Sequence, residues 1–331
     1  MAEQLKSKLK SIAGRVDKFV SRNYARILPE RSSLIIVLLH LLFRNEEEKR
    51  QDFTSLRQGM TVQQFRQLVR YFRDLKYVFV APDDILRGLP SGGNFVLVTF
   101  DDGYYNNHLA LSVLDEFQIP AVFFISTSYI KQGRSFWWDV LYRERRKQGR
   151  MADRIFEEAQ SLTEQPHDHI ERYLVEHFGA QALDPMDDRD RPFTPMELQS
   201  FFMNSHVILG NHTRNHVRLT HLTRADARAE IEGAQRDIEE MCGVTPNTIS
   251  YPSGAYTPAS VEIAREAGLR LGLTTVRRKN FLPMRSDEYN LLVLSRFSIS
   301  GNLDIAEQCR SCRSDIQLMT SMREMKKRGR S

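Results

Sequence analysis

The sequence predicts an α/β fold: a distorted (β/α) barrel of seven or eight mostly parallel strands with a helical insertion. Three observations lead there. Short uncharged runs rich in β-branched and aromatic residues recur along the chain, the pattern of strands buried on both faces. Segments of helical apolar spacing alternate with them over short connections, which requires parallel pairing. One such run, residues 95–100, ends in two adjacent carboxylates, Asp101 and Asp102, followed by Gly103. The carboxyl ends of core strands are where such folds carry chemistry. By itself Asp-Asp-Gly reads equally well as a turn with two solvated acids.

Composition sets the outer limits. A chain of 331 residues makes one large domain or two smaller ones, and 41% hydrophobic residues exclude a disordered chain. The formal net charge of +5 is a modest excess that suits an anionic ligand or a membrane surface and gives no reason to expect nucleic acid. Three cysteines do not make a disulfide framework. Residues 1–22 are charged and amphipathic, without the apolar core and cleavage site of a secretory signal. The longest apolar run, residues 34–43, is too short to span a bilayer. The chain therefore reads as cytoplasmic.

The elements follow in order. Residues 6–24 form a basic amphipathic helix, either solvated or in peripheral contact with the inner face of a membrane. Residues 34–39 form a buried strand that delivers His40 at its end, and residues 45–58 a charged loop. Thr61 caps a helix with Phe65, Leu68, Val69 and Phe72 at helical spacing. Residues 77–80 make a short strand, and Pro82 opens the next helix. After the Asp-Asp-Gly strand come a helix over 110–117 and a strand over 121–125. Residues 136–191 are charged, hold His167, His169 and His177, and show helical periodicity without strands: an insertion. Strands then resume at 207–209, 248–251, 271–275 and 292–297, with helices at 225–242 and 259–268. Residues 306–331 form a basic tail, and the lone Cys309-x-x-Cys312 within it does not make a zinc knuckle.

His212 and His216 follow the strand at 207–209. Four apart, on a helical turn, their rings would share one face and could hold one cation. Two imidazoles and a carboxylate leave a coordination position open for water, the arrangement of a hydrolytic metal site.

Taken together, Thr99-Phe100-Asp101-Asp102-Gly103 and His212-Thr213-Arg214-Asn215-His216 resemble the first two signature motifs of polysaccharide deacetylases, the NodB-homology family. The resemblance runs over about residues 34–297. It includes Ile119-Pro120-Ala121-Val122-Phe123-Phe124 and, similar to the third motif, Tyr251-Pro252-Ser253-Gly254. It implies a catalytic domain over 34–305, between a basic helical extension (1–33) and the basic tail (306–331). It also implies metal ligation by Asp102, His212 and His216. The metal would be divalent, usually zinc, with cobalt, nickel or manganese as substitutes. Asp101 would be the general base, and the backbone N–H of Ser253, beside Tyr251, would hold the oxyanion. The substrate would be an acetylated carbohydrate in a polysaccharide, oligosaccharide or lipid-linked glycan precursor, N-acetylated or, with the same site, O-acetylated or N-formylated. The leaving amine needs an acid. The family's Leu-x-His motif is absent near the C-terminus, but Leu38-Leu39-His40 ends the first strand, as in circularly permuted branches. His40 is thus the candidate acid, and a core histidine is the alternative.

Two departures from the family pattern stand out. The arginine that often opens the third motif is replaced by Ser250 or Ile249, and Arg296, at the end of the last strand, could take its place on the base. The fourth motif is not recognisable. Phe136-Trp137-Trp138-Asp139 is either a sugar-stacking wall centred on Trp138 or a core anchor. The rival reading is an inactive carbohydrate-binding homologue in polysaccharide assembly.

Overall fold

The computed structural model describes residues 30–54, 59–284 and 288–315. The expected helix over 6–24 and the tail beyond 315 lie outside them. Eleven strands are described: β1 (Ser33–Leu39), β2 (Leu42–Phe43), β3 (Met60–Thr61), β4 (Val78–Phe79), β5 (Asn94–Phe100), β6 (Ala121–Ile125), β7 (Val207–Asn211), β8 (Thr248–Ser250), β9 (Leu271–Leu273), β10 (Asn280–Phe281) and β11 (Phe297–Ser298). The main sheet has the order β10-β1-β5-β6-β7-β8-β9, with β11 also on β1 and β4 also on β5. All its pairs are parallel except β1 with β10. β2 and β3 form a separate parallel pair.

Strand parity explains how the sheet sorts its residues. Along β1, Leu34 and Ile36 join Phe95 and Leu97 of β5, Val122 and Phe124 of β6, and Leu271 and Leu273 of β9 in one cluster on the concave face. The alternate residues, Ile35, Val37, Val96, Val98, Ala121 and Phe123, face the helices, packing with Phe65, Leu68, Val69 and Phe72. Gly210 keeps the inner face open for the Phe124 ring, since a Cβ there would lie 2.4 Å from it. The inner parity reaches Ser250 at the end of β8 and, just past the ends of β1, β5 and β7, His40, Asp101 and His212. The fold thus aims four polar side chains at one end of the barrel.

Several sequence expectations need correction. Within 45–58, Asn45 accepts from the backbone N–H groups of Glu47 and Glu48 and caps a short helix, Glu46–Arg50, whose first turn is acidic. The strand expected over 292–297 is instead a helical turn, Glu288–Leu291, and then β11. Only Leu294 bridges to β9, because the Ser295 N–H is taken by the Asn280 side chain and Arg296 turns inward. The segment from Leu294 to Ser298 thereby touches both β9 and β1 and draws the sheet edges together. The region read as tail begins with a helix, Ile305–Arg313, that buries Cys309 and Cys312 in the core. Between β6 and β7 the insertion carries helices Trp137–Lys147, Ala152–Thr163 and His167–Phe178, followed by Pro195–Phe202. Among the described residues no helix is long and apolar enough to cross a membrane.

Candidate metal centre and active site

Asp101 leaves β5 with its backbone N–H still paired to Leu39. Its carboxylate is nearly inaccessible (4% exposed) and lies in the fork of Arg296, which donates from Nη1 to Oδ1 and from Nη2 to Oδ2, both at 2.8 Å. The fork is fully used. Nε donates to the Thr274 carbonyl at 2.9 Å, Nη1 also to Thr99 Oγ1 at 3.2 Å, and Nη2 also to Ser250 Oγ at 2.8 Å. Burial alone would push the Asp101 carboxyl up. The Arg296 charge, helped by His212 and His40 and by the Arg296 hydrogen bonds, outweighs it and holds the carboxyl down to about 2.

Asp102 is wholly buried. Its Oδ1 lies 3.4 Å from His212 Nε2 and 3.3 Å from His216 Nε2. Ligand atoms of these three residues fall within 4.8 Å of one another. His212 Nδ1 lies 2.7 Å from the Ser250 carbonyl, which can only accept, so Nδ1 carries the proton and Nε2 is left as the ligand atom facing the space shared with Asp102 and His216. Two imidazole nitrogens and a carboxylate converging in a buried spot suit a divalent transition metal such as zinc.

The histidines do not share a helical turn. They stand on a loop in which Thr213 (φ 63°) and His216 (φ 52°) are left-handed. Side chains take the backbone N–H groups that helical bonds would have used. Asn211 Oδ1 accepts from Thr213 N at 2.8 Å, and Glu230 Oε2 accepts from Arg214 N at 3.0 Å and Asn215 N at 2.9 Å. Glu230 belongs to helix Arg224–Cys242, which therefore sets the loop's shape. Asp102 (φ 82°) and Ser253 (φ 56°) are left-handed as well. Gly254 follows Ser253 at φ 67°, and a Cβ there would sit 2.6 Å from the Thr275 backbone nitrogen.

A cavity of about 350 Å³ opens beside this cluster, lined by His40, Trp138, His216 and Ser253 among others. Trp138 is buried. Its ring lies 4.5 Å from that of His216, and its Nε1–H donates to Tyr104 Oη at 2.7 Å. It both anchors the insertion and forms cavity wall. The Tyr251 ring is not brought to this cavity but is buried among Ile249, Val261 and Leu292. Sequence reasoning gave no role to Ser250, whose hydroxyl donates to Asp101 at 3.0 Å while its carbonyl orients His212. Trp137, part of the aromatic stretch read as a wall or an anchor, also lines the cavity, whereas Phe156, Gln160 and Ser298 went unnoticed as lining residues.

A family model described as polysaccharide deacetylase matches residues 89–272, more than half of the chain. The chain belongs to the polysaccharide deacetylase family. No curated protein matches it. Among solved structures, a Streptococcus pyogenes deacetylase, PplD, in complex with acetate is similar at 17% identity over 85% of this chain and 99% of its own, with a TM-score of 0.57. IcaB from Ammonifex degensii matches at 17% identity over 86% and 99%, with a TM-score of 0.57. The BpsB deacetylase domain from Bordetella bronchiseptica matches at 17% identity over 82% and 98%, with a TM-score of 0.53. At such identities the likeness is one of fold, a deformed α/β barrel. This family member is thus an enzyme of the carbohydrate deacetylase class with a candidate metal site at Asp102, His212 and His216.

Proposed function

We propose that the chain hydrolyses the acetamide of an N-acetylated sugar, using a divalent metal, most simply zinc, held by Asp102, His212 and His216. The observation that carries the reading is the division of labour between adjacent acids. Asp102 faces two imidazole nitrogens, while Asp101 is turned onto Arg296. A bound metal would acidify water and polarise the acetyl carbonyl, which a base as weak as Asp101 requires.

The chain's own groups supply the rest. Asp101, ionised at neutral pH, accepts the water proton at a carboxylate oxygen, and Arg296 with Ser250 keeps that carboxylate oriented. The Ser253 N–H donates to the carbonyl oxygen as it gains charge. His40, on the cavity wall, gives a proton to the nitrogen as the carbon–nitrogen bond breaks, so the amine leaves neutral and acetate remains.

The test measures metal content and acetate release together on wild type, Asp102→Ala and Asp101→Asn, with N-acetylated and O-acetylated saccharides. The expected result is one divalent metal per chain, lost in Asp102→Ala and retained without activity in Asp101→Asn. Acetate from O-acetylated sugars alone would replace the amide by an ester. Neither metal nor acetate would overturn the hydrolytic reading and leave a carbohydrate-binding module.

A further inference from the structure

We propose that the helices between β6 and β7 close the catalytic end of the barrel into a pocket that takes a saccharide by its terminus, roughly one or two rings deep. An internal ring of a long polymer would be excluded. The inference rests on the deacetylase reading above and names its substrate class.

The geometry starts with one helix face. Phe156, Ala159, Gln160 and Thr163 of helix Ala152–Thr163 all line the cavity, and their spacing puts them on one side of that helix. His216, Ser253, Ser298 and Ser300 line the cavity as well. The lining comes from separate parts of the chain, as that of a pocket does, whereas a polymer needs a groove open at both ends. The volume of about 350 Å³ lies at the small end of the range for ligand pockets, about 300 to 1,000 Å³.

The wall is fixed. Its inward residues Ile155, Ala159 and Leu162 share a core cluster with Trp137, Trp138 and, from the barrel side, Leu41 and Phe43. At the helix end, Glu164 pairs with Arg218 and with His221 at 3.1 Å, tying the wall to the chain just after the metal loop. Phe156 is the selecting residue. Although apolar it is 51% exposed, and its ring offers a face to the C–H side of a sugar. Gln160, one turn on, offers the amide that a sugar hydroxyl needs.

The chain has two tryptophans, Trp137 and Trp138, and both line the cavity, so intrinsic fluorescence reports occupancy without turnover. The experiment titrates N-acetylglucosamine, N-acetylgalactosamine and N-acetylmannosamine, each as monosaccharide, disaccharide and long polymer. Acetate release and the position of the deacetylated ring are measured alongside. Short saccharides are expected to change the emission. Acetate is expected from terminal rings, with kcat/KM per acetyl group at least about tenfold lower on polymer. Phe156→Ala, an exposed position, is expected to narrow that ratio severalfold with metal content unchanged.

Internal rings deacetylated as fast as ends, or a ratio untouched by Phe156→Ala, would overturn the pocket while leaving the hydrolase reading intact. Emission changes with short saccharides but no acetate would support the pocket and overturn hydrolysis. Silence in both readouts would overturn both.

Discussion

Replacing Arg296 by Met removes a charge of similar length from a fully enclosed site and leaves the Asp101 carboxylate behind. In the wild type, all five N–H groups of Arg296 are satisfied, two of them on Asp101. Breaking a buried pair from one side costs about 3–5 kcal/mol, because the remaining charge is stranded. Against a total stability of about 5–15 kcal/mol, that is a large fraction. The pH dependence carries the sharper signature. In the wild type Asp101 is held below its unfolded value of 3.8, so its contribution is complete above that value and lost only as pH falls through about 2. In Arg296→Met, burial acts with the guanidinium gone and raises the folded value. The penalty then stands at neutral pH and fades as pH falls through the raised value. Urea unfolding of both proteins, with chelator present so that metal is not a variable, should show a gap of about 3–5 kcal/mol near neutrality that narrows toward about pH 4. A gap below about 1 kcal/mol, or one unchanged over that range, would refute the account of Arg296 as the group that keeps Asp101 ionised.

Other consequences are equally specific. Glu230→Ala removes the carboxylate that accepts the Arg214 and Asn215 N–H groups. Metal affinity, measured by chelator competition, should fall about 10–100-fold with little change in unfolding; unaltered affinity would mean that the loop holds its own shape. Gly254→Ala meets both a left-handed backbone and the Thr275 nitrogen. It should cost about 1–3 kcal/mol in unfolding and lower kcat by displacing Ser253, so a variant with wild-type stability and rate would contradict the contact. Burial pushes the Cys309 thiol up, pushes Cys312 up to about 12 and raises Cys242 to about 11. A thiol reagent at about pH 8 should therefore label native protein slowly and all three cysteines fast in urea, and rapid native labelling of Cys309 or Cys312 would show the C-terminal helix undocked.

Much of this architecture was legible because a short uncharged run buried on both faces is a strong signal. Residues 34–39, 95–100 and 121–125 have no charge to contradict a strand, and the inner parity carries on into His40 and Asp101. The convergence of Asp102 with His212 and His216 was implied by the resemblance of their two motifs to those of polysaccharide deacetylases. The pairing of Arg296 with Asp101, 195 residues apart, followed only from strand ends meeting on one face. What stayed hidden depends on partners that local spacing does not name. The histidine loop is shaped by Glu230 on another helix, and i, i+4 spacing wrongly implied a helical turn. Tyr251 sits inside a motif, yet its ring turns to the core behind β8. Ser250 acts through a carbonyl, which every residue has. The cavity wall arises from ordinary amphipathic spacing, in which Phe156 and Gln160 look like surface residues.

Among the described residues six non-glycine positions are left-handed, and four of them are Asp102, Thr213, His216 and Ser253. Each such conformation costs about 1–3 kcal/mol, most for a β-branched residue such as Thr213. Optimising this protein for heat resistance alone would therefore work against the catalytic end first. The changes that relax the backbone most, toward glycine or asparagine, lie on the ligands or beside them. Durability and turnover compete at those four positions. Exposed helix faces away from those loops are where added robustness would leave the chemistry alone.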